Sequence, residues 1–251
     1  MRVEHTEEEI EGLWLYGVNP VLEALKAGHA VGDVYIWAGR KQTAEIKAEA
    51  EARGLPVKVM HDPEFFDRRF PKGHQGVAAL VKAENLVDLD ALMEIPTARA
   101  EAAFFVVLDQ VEDPRNLGAI LRSAEAAGAH GVVMQERRSA PLGPVAMKTS
   151  AGAAGLVPIC VVTNIKEALR RMEDEGYAIV GADADGDVAP WALDLSGPVA
   201  LVIGSEGSGM RRTVKESCHH LLALPMRGRV ASLNASVAAG VIIYEIVRQR
   251  V

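Results

Sequence analysis

The sequence predicts an α/β protein of two unequal units, the second built on a mostly parallel sheet. Three features predict it. Strand and helix patterns alternate over about the first 80 residues, lapse across 84–101, and resume at 102 with six strand candidates separated by helices. Strands joined by crossover helices run parallel, and the helices cover both faces of their sheet.

The first unit, 1–83, begins with an acidic arm carrying Glu4, Glu7, Glu8, Glu9 and Glu11. "YGVNPVLEALKAG" then reads as a turn into a short helix, with Asn19 as N-cap and Pro20 at the first helical position, where no backbone N–H is needed. "DVYIWAG" (33–39) has strand composition, "TAEIKAEAEARG" (43–54) is a capped helix stopped by glycine, and "LPVKVM" is a strand. "PEFFDRRF" reads as helix and "GVAALVK" (76–82) as strand. Residues 84–101, "ENLVDLDALMEIPTARAE", lack a strong period and contain a proline, so they read as linker with at most one helical turn.

In the second unit, 102–251, "AAFFVVLD" is a buried strand and "NLGAILRSAEAAG" a helix with a glycine stop. "GVVM" is a strand, "GPVAMKTSAGAA" helical or irregular, "LVPICVV" a strand and "NIKEALRRMEDEG" a capped amphipathic helix. "YAIVGAD" and "PVALVIG" are strands, "GMRRTVKESC" a helix, "HLLALPM" a strand and "SLNASVAAGVIIYEIVRQR" a long final helix.

Bulk composition narrows the class. The 251 residues are 49% hydrophobic and 24% charged, as in ordinary globular proteins. No apolar run approaches the roughly 20 residues that cross a membrane, and the acidic start lacks a signal peptide's apolar core. Cys160 and Cys218 form no CxxC pair or disulfide framework and read as buried thiols in a reducing, cytoplasmic compartment. The net charge of −7 argues mildly against non-specific nucleic-acid binding. Basic residues nevertheless gather in "RRFPKGHQ", "MRRTVK" and "MRGRV", so net charge does not exclude RNA.

Several familiar sites fail on inspection. The loop "GSEGSG" (204–209) follows a strand, but its only GxG is followed by Met-Arg-Arg, which leaves a dinucleotide fingerprint incomplete. There is no phosphate-binding P-loop and no G-x-S-x-G elbow. "DADGDV" (183–188) resembles half a calcium loop with its glycine misplaced and no distal Glu, so a polar surface turn is the better reading. His219 and His220 are adjacent and cannot face one metal from the same side of a strand. No metal site is supported. Glu206 raises its own question, because a carboxylate inside a glycine loop repels the phosphate such loops usually hold.

Three polar stretches remain next to strand C-termini, where open α/β sheets bind ligands. In "LDQVEDPRNLGAILRSAEAAG" (108–128), Asp109 ends a strand, Pro114 and Asn116 open the helix, and Arg122 lies off the buried stripe, where a surface pair with Glu125 is the plain alternative. The second is the loop with Glu206. In "LPMRGRVASLNASVAAG" (224–240), Ser232 or Asn234 begins a helix, and an N-cap role accounts for Ser232 equally well. Ala235, Ala238, Ala239 and Gly240 give that helix a smooth face suited to core or subunit packing.

Together, D-P-x-N-L-G-x-x-x-R-[ST]-A, I-G-x-E-G-x-G-M and L-P-M-x-G-x-x-x-S-L-N-x-S-V-A-x-G resemble the SpoU (TrmH) class of RNA ribose 2′-O-methyltransferases over nearly the whole chain. "YGVNPVLEAL", "HQGVAALV" and "YEIVRQR" resemble the branch acting on a guanosine of 23S ribosomal RNA. The resemblance implies a C-terminal trefoil-knot (SPOUT-type) methyltransferase domain behind a smaller α/β RNA-binding domain. It implies S-adenosylmethionine held by Ile203, Gly204, Leu224, Met226 and Leu233. Around it would stand the catalytic residues Arg122, Asn116, Glu206, Ser232 and Asn234, in a homodimer whose first-motif residues cross the interface. That cofactor carries a sulfonium and no phosphate, so Glu206 ceases to be paradoxical. Asn19, Arg68, Arg69 and Lys72 are the candidate RNA contacts. The same chemistry on transfer RNA or another ribosomal nucleotide, a non-catalytic ribosome-assembly factor and a small-molecule α/β enzyme are the rival readings.

Overall fold

Short apolar segments of the N-terminal unit pair into one mixed four-stranded sheet. The computed structural model describes residues 13–27, 31–40, 43–62, 64–70, 73–81 and 85–251, and divides into units 1–83 and 84–251. The acidic arm and Lys72 lie outside the described residues. The N-terminal elements are β1 (Leu13–Tyr16), α1 (Val18–Ala27), β2 (Val31–Trp37), α2 (Ala44–Ala52), β3 (Val57–Met60), α3 (Glu64–Arg69) and β4 (Val77–Val81). β4 is antiparallel to both β1 and β2, whereas β2 and β3 are parallel. Tyr35, Phe66, Phe70 and Ala78 form a buried cluster beneath partly covered Trp14, Tyr16, Trp37 and Phe65.

Two local expectations need correction. β1 was not expected, because "LWLY" is too short to show a period and becomes a strand through its register with β4, Trp14 opposite Leu80 and Leu15 opposite Ala79. Helix α1 starts at Val18, so Asn19 is inside its first turn, exposed, and is not the N-cap. The capping bond comes from far along the chain: Val18 N donates to Gln75 Oε1 at 3.0 Å.

The C-terminal unit opens with a helix, α4 (Leu89–Arg99), where a linker with one turn was expected. Asp88 caps it by accepting from Ala91 N at 2.8 Å, and Leu89, Leu92 and Pro96 point one face inward. That sparse stripe is too thin to stand out as a period, and Pro96 sits near the end, where it costs the helix little. There follow β5 (Phe104–Leu108), α5 (Pro114–Ala126), β6 (Gly131–Gln135), α6 (Pro144–Thr149), β7 (Ile159–Val162), α7 (Ile165–Asp174), β8 (Ala178–Ala182), β9 (Val199–Ile203), α8 (Arg212–Lys215), β10 (His220–Leu222) and α9 (Ala235–Arg250). The six strands form one sheet of order β10-β8-β9-β5-β6-β7, every neighbouring pair parallel. Central β5 and β9 are buried at every position, as their unbroken apolar runs require. Among the described residues no helix is long and apolar enough to cross a membrane.

Two contacts fix the C-terminal edge of this sheet. Asp109, directly after β5, is fully buried; its Oδ2 accepts Arg211 N at 2.7 Å and its Oδ1 accepts Arg211 Nε at 2.7 Å. Arg211 Nη2 also reaches Gln135 Oε1 at 2.7 Å, so one guanidinium ties the segment after β9 to β5 and β6. On the adjoining face α5 lies hard against α6, and a Cβ at Gly118 would stand 1.9 Å from Thr149 Oγ1 and 2.5 Å from Ala146 O. At the far end of α9, Arg250 donates to the carbonyls of Ala102, Ala103, Leu195 and Gly197.

Arg211→Ala leaves the Asp109 charge buried and unpaired, so denaturant unfolding should show a loss of about 3 kcal/mol. The exposed neighbour Arg212, paired loosely with Glu216 at 3.6 Å, should cost under about 0.5 kcal/mol on the same change. Equal losses would mean that the buried pair contributes nothing special. Gly118→Ala should cost about 1–3 kcal/mol through overpacking against α6, read as a lower melting temperature.

Candidate active site

Where β8 and β9 end, the chain leaves a cavity of about 300 Å³, a volume at the lower end of small-molecule sites. Ile203 and Gly204 form one wall, Leu224 and Met226 another, and Leu233 closes it from the segment before α9. All five residues expected to hold the cofactor therefore face one space. The wall at Gly204 exists only because that residue lacks a side chain: a Cβ there would sit 2.3 Å from both Gly209 C and Met210 N. The loop doubles back on itself, with Ser205 and Gly209 exchanging backbone hydrogen bonds of 3.0 Å in each direction.

Glu206 and Ser232 also line this cavity, and Glu206 is held by two amides from distant helices. Asp113 caps α5 by accepting from Arg115 N at 2.7 Å, which turns Asn116 inward, 6% exposed, in the helix's first turn. Asn234 is the N-cap of α9: its Oδ1 accepts from Ser236 N at 2.9 Å and from Ser236 Oγ at 2.6 Å. With that oxygen committed, Asn234 Nδ2 donates to Asn116 Oδ1 at 2.9 Å and to Glu206 Oε2 at 3.3 Å. Asn116 Nδ2 completes the cluster by donating to Glu206 Oε2 at 2.8 Å. Each amide is oriented by what it must satisfy. Ser232 is exposed on the cavity wall and caps nothing, so the helix-start reading falls to Asn234 alone.

Arg122 is not brought to the cavity. It lies six residues beyond Asn116 on α5, roughly 240° around the helix, and is exposed without a hydrogen-bond or ion-pair partner among the described residues. The alternative pair with Glu125 does not form. In the N-terminal unit Arg68 is engaged by Asp62 at 2.7 Å and Glu64 at 3.4 Å, and Arg69 stacks over Phe65 at 4.9 Å. Of the basic run at 210–215, Arg211 serves Asp109 and Lys215 pairs with Asp183 at 3.0 Å. Arg227 and Arg229, next to the cavity wall at Met226, are exposed with no such partner among the described residues. Burial pushes the Cys160 thiol up to about 11 and Cys218 to about 12, which leaves both protonated at neutral pH.

The charge of the cavity limits its ligand. Its lining holds the carboxylates of Asp183, Asp185 and Glu206 against one ammonium, Lys215. Such a surface disfavours phosphate and suits a neutral or cationic molecule. Sequence reasoning missed the Asp109–Arg211 and Asp183–Lys215 pairs. Asp109 was visible as a polar residue ending a strand, but its partner lies 102 positions away.

Comparison with known proteins agrees with this geometry. Residues 103–244 match the model of the SpoU rRNA Methylase family, and residues 14–87 match that for RNA 2′-O ribose methyltransferase substrate binding. A Bacillus subtilis protein, YacO, named for the TrmH family of tRNA/rRNA methyltransferases, is 39% identical over 94% of this chain and 96% of its own length. A Mycolicibacterium vanbaalenii protein named as an uncharacterized tRNA/rRNA methyltransferase is 43% identical over 93% of this chain and 76% of its own length. Among solved structures, the SpoU methyltransferase AviRb of Streptomyces viridochromogenes, in complex with AdoMet, superposes with a TM-score of 0.68 at 29% identity, covering 94% of this chain and 89% of that one. An AdoMet-bound rRNA methyltransferase of Sinorhizobium meliloti superposes with a TM-score of 0.65 at 26% identity, covering 95% and 88%. With both units matched and the glycine-walled cavity at the expected strand ends, this chain belongs to the SpoU rRNA methylase family.

Proposed function

We propose that this chain methylates the ribose 2′-hydroxyl of a guanosine in 23S ribosomal RNA, working as a homodimer in the cytoplasm. The coarser activity is that of its family: an S-adenosylmethionine-dependent RNA 2′-O-ribose methyltransferase with the SPOUT-type α/β architecture of trefoil-knotted enzymes. One observation carries the site reading. The Asn116–Asn234–Glu206 cluster stands at a cavity whose acidic lining disfavours phosphate and suits a cation.

The cavity fits the cofactor. Gly204 lets the loop fold back where any Cβ would strike the Gly209–Met210 backbone, the Leu224, Met226 and Leu233 side chains offer apolar contact for an adenine, and the acidic lining matches a sulfonium. When bound, S-adenosylmethionine supplies an electrophilic methyl group. Ile203, Gly204, Leu224, Met226 and Leu233 would hold it, and Glu206, fixed by two amide donors, sets a negative charge beside it. Ser232, exposed on the same wall, is placed to meet the incoming RNA.

Arg122 does different work. A guanidinium stays charged because its pKa is above about 12, so it orients a phosphate and stabilises a developing alkoxide rather than taking the proton. Within one chain it does not reach the cavity, which supports delivery from a second copy. Val237, Val241 and Tyr244 lie along one face of α9 and are 50%, 45% and 52% exposed, an apolar stripe suited to that copy. The ribosomal target is supported by the rRNA methylase family that residues 103–244 match and by the opening motif "YGVNPVLEAL". We assign residues 1–83 to choosing the RNA and 102–251 to the transfer. Asn19 and Arg69, both exposed, with Arg68 and Lys72, are the proposed RNA contacts. Phosphate contacts of this kind weaken as salt rises.

Transfer of labelled methyl from S-adenosylmethionine to unmodified 23S RNA tests the assignment. Arg122→Ala should lose at least about 100-fold in rate, while calorimetry shows cofactor affinity essentially unchanged. Label on transfer RNA in place of 23S RNA would replace the substrate and keep the chemistry. Mixing Arg122→Ala with Glu206→Ala should restore about a quarter of parental activity, since half of the dimers are then mixed and each holds one intact shared site. No restoration would place Arg122 and Glu206 in the same chain's site.

A further inference from the structure

We infer that Asp183, at the end of β8, is a further cofactor-binding residue that accepts a hydrogen bond from the ribose hydroxyls of S-adenosylmethionine. The inference rests on the cavity being the cofactor site. Asp183 and its partner Lys215 both line it, on the wall formed by β8 and α8. The Asp183 side chain is 11% exposed, so it is held within the wall rather than waving in solvent.

Its two oxygens are used unequally. Oδ1 accepts Asp185 N at 2.9 Å and the Lys215 ammonium at 3.0 Å. Oδ2 has no hydrogen-bond partner among the described residues. It faces the glycine loop: an atom built at the Cβ position of Gly209 would lie 3.9 Å from it. An acceptor with free lone pairs is thus kept beside the loop that forms the cavity's other wall, anchored from behind by a turn and a lysine.

The chemistry of the acceptor selects the donor. Lys215 offsets the charge of Asp183, which weakens its pull on an ammonium but leaves the lone pairs of Oδ2 intact. A neutral hydroxyl needs only those lone pairs. Of the cofactor's neutral donors, the adenine amino group and the ribose hydroxyls, the hydroxyls have the precedent: an acidic side chain after a strand is a proven partner for ribose hydroxyls in other α/β sheets. The turn "DADGDV" thereby gains a purpose that a calcium loop did not give it. Gly186 brings that turn against β10, since a Cβ there would sit 2.5 Å from Leu221 O.

Calorimetric titration with S-adenosylhomocysteine, its 2′,3′-dideoxyribose analogue and its des-amino analogue tests this without any turnover. The parent should prefer the ribose form over the dideoxy form by about tenfold. Asp183→Ala should weaken the ribose form to the same extent and erase that preference, while the penalty for removing the amino group stays as in the parent. Asp183→Asn, whose carbonyl still accepts Asp185 N, guards against misfolding and should keep part of the preference. An Asp183→Ala variant that weakens the ribose and dideoxy forms equally, or that loses its discrimination of the amino group instead, overturns the inference. No binding of S-adenosylhomocysteine by the parent would overturn the cofactor reading of the cavity itself.

Discussion

A carboxylate with no exposure to solvent must be paired, and among the described residues Asp109 is paired by Arg211 alone. That requirement organises the C-terminal unit. Two oxygens of one side chain take the backbone and the guanidinium of a residue seven positions beyond Gly204, so the glycine loop has both ends tied: one to β9, the other to β5. Burying the Asp109 carboxylate is expensive, and the pair is weak evidence for stability as such. What it supplies is position. Were Arg211 to leave, the loop that carries Glu206 would keep only one anchor in the sheet, and the cavity only one fixed wall.

The polar cluster works by the same logic at lower charge. Asn234 spends its oxygen on the N-terminus of α9 and is left with an amide nitrogen that can only donate. Asn116 passes that constraint on, accepting with one end and donating with the other. Glu206 receives both. A helix cap, a buried first-turn amide and a loop carboxylate are therefore coupled, and a change in the tilt of α9 or α5 is felt at the cavity. Stability of the last helix and geometry of the site share a residue.

Much of this was legible in the chain. The six parallel strands announced themselves as apolar runs between amphipathic helices, and all of β5 to β10 fall where those runs lie. The residues that face the cavity were named from the last two motifs, and Ile203, Gly204, Leu224, Met226 and Leu233 do share one space. Failures came where structure depends on partners distant in sequence. β1 exists because β4 pairs with it, α1 is capped by Gln75, and α4 shows too sparse an apolar stripe to be seen before its core is known. Arg122 was singled out by its motif, yet no pattern in one chain says which cavity it serves. Asp109 and Arg211 each looked like an ordinary polar residue beside a strand.

The clasp made by Arg250 has a consequence for biosynthesis. Helix α9 begins at the amide cluster and ends with a guanidinium gripping carbonyls at 102, 103, 195 and 197, so the helix that completes the cavity is made after every strand it fastens. Every strand of the N-terminal sheet has been made by residue 81. At ~5–20 residues per second, translation from there to the end of α9 takes roughly 10–30 seconds. For that interval the nascent chain carries the strands of its N-terminal sheet without a completed cavity.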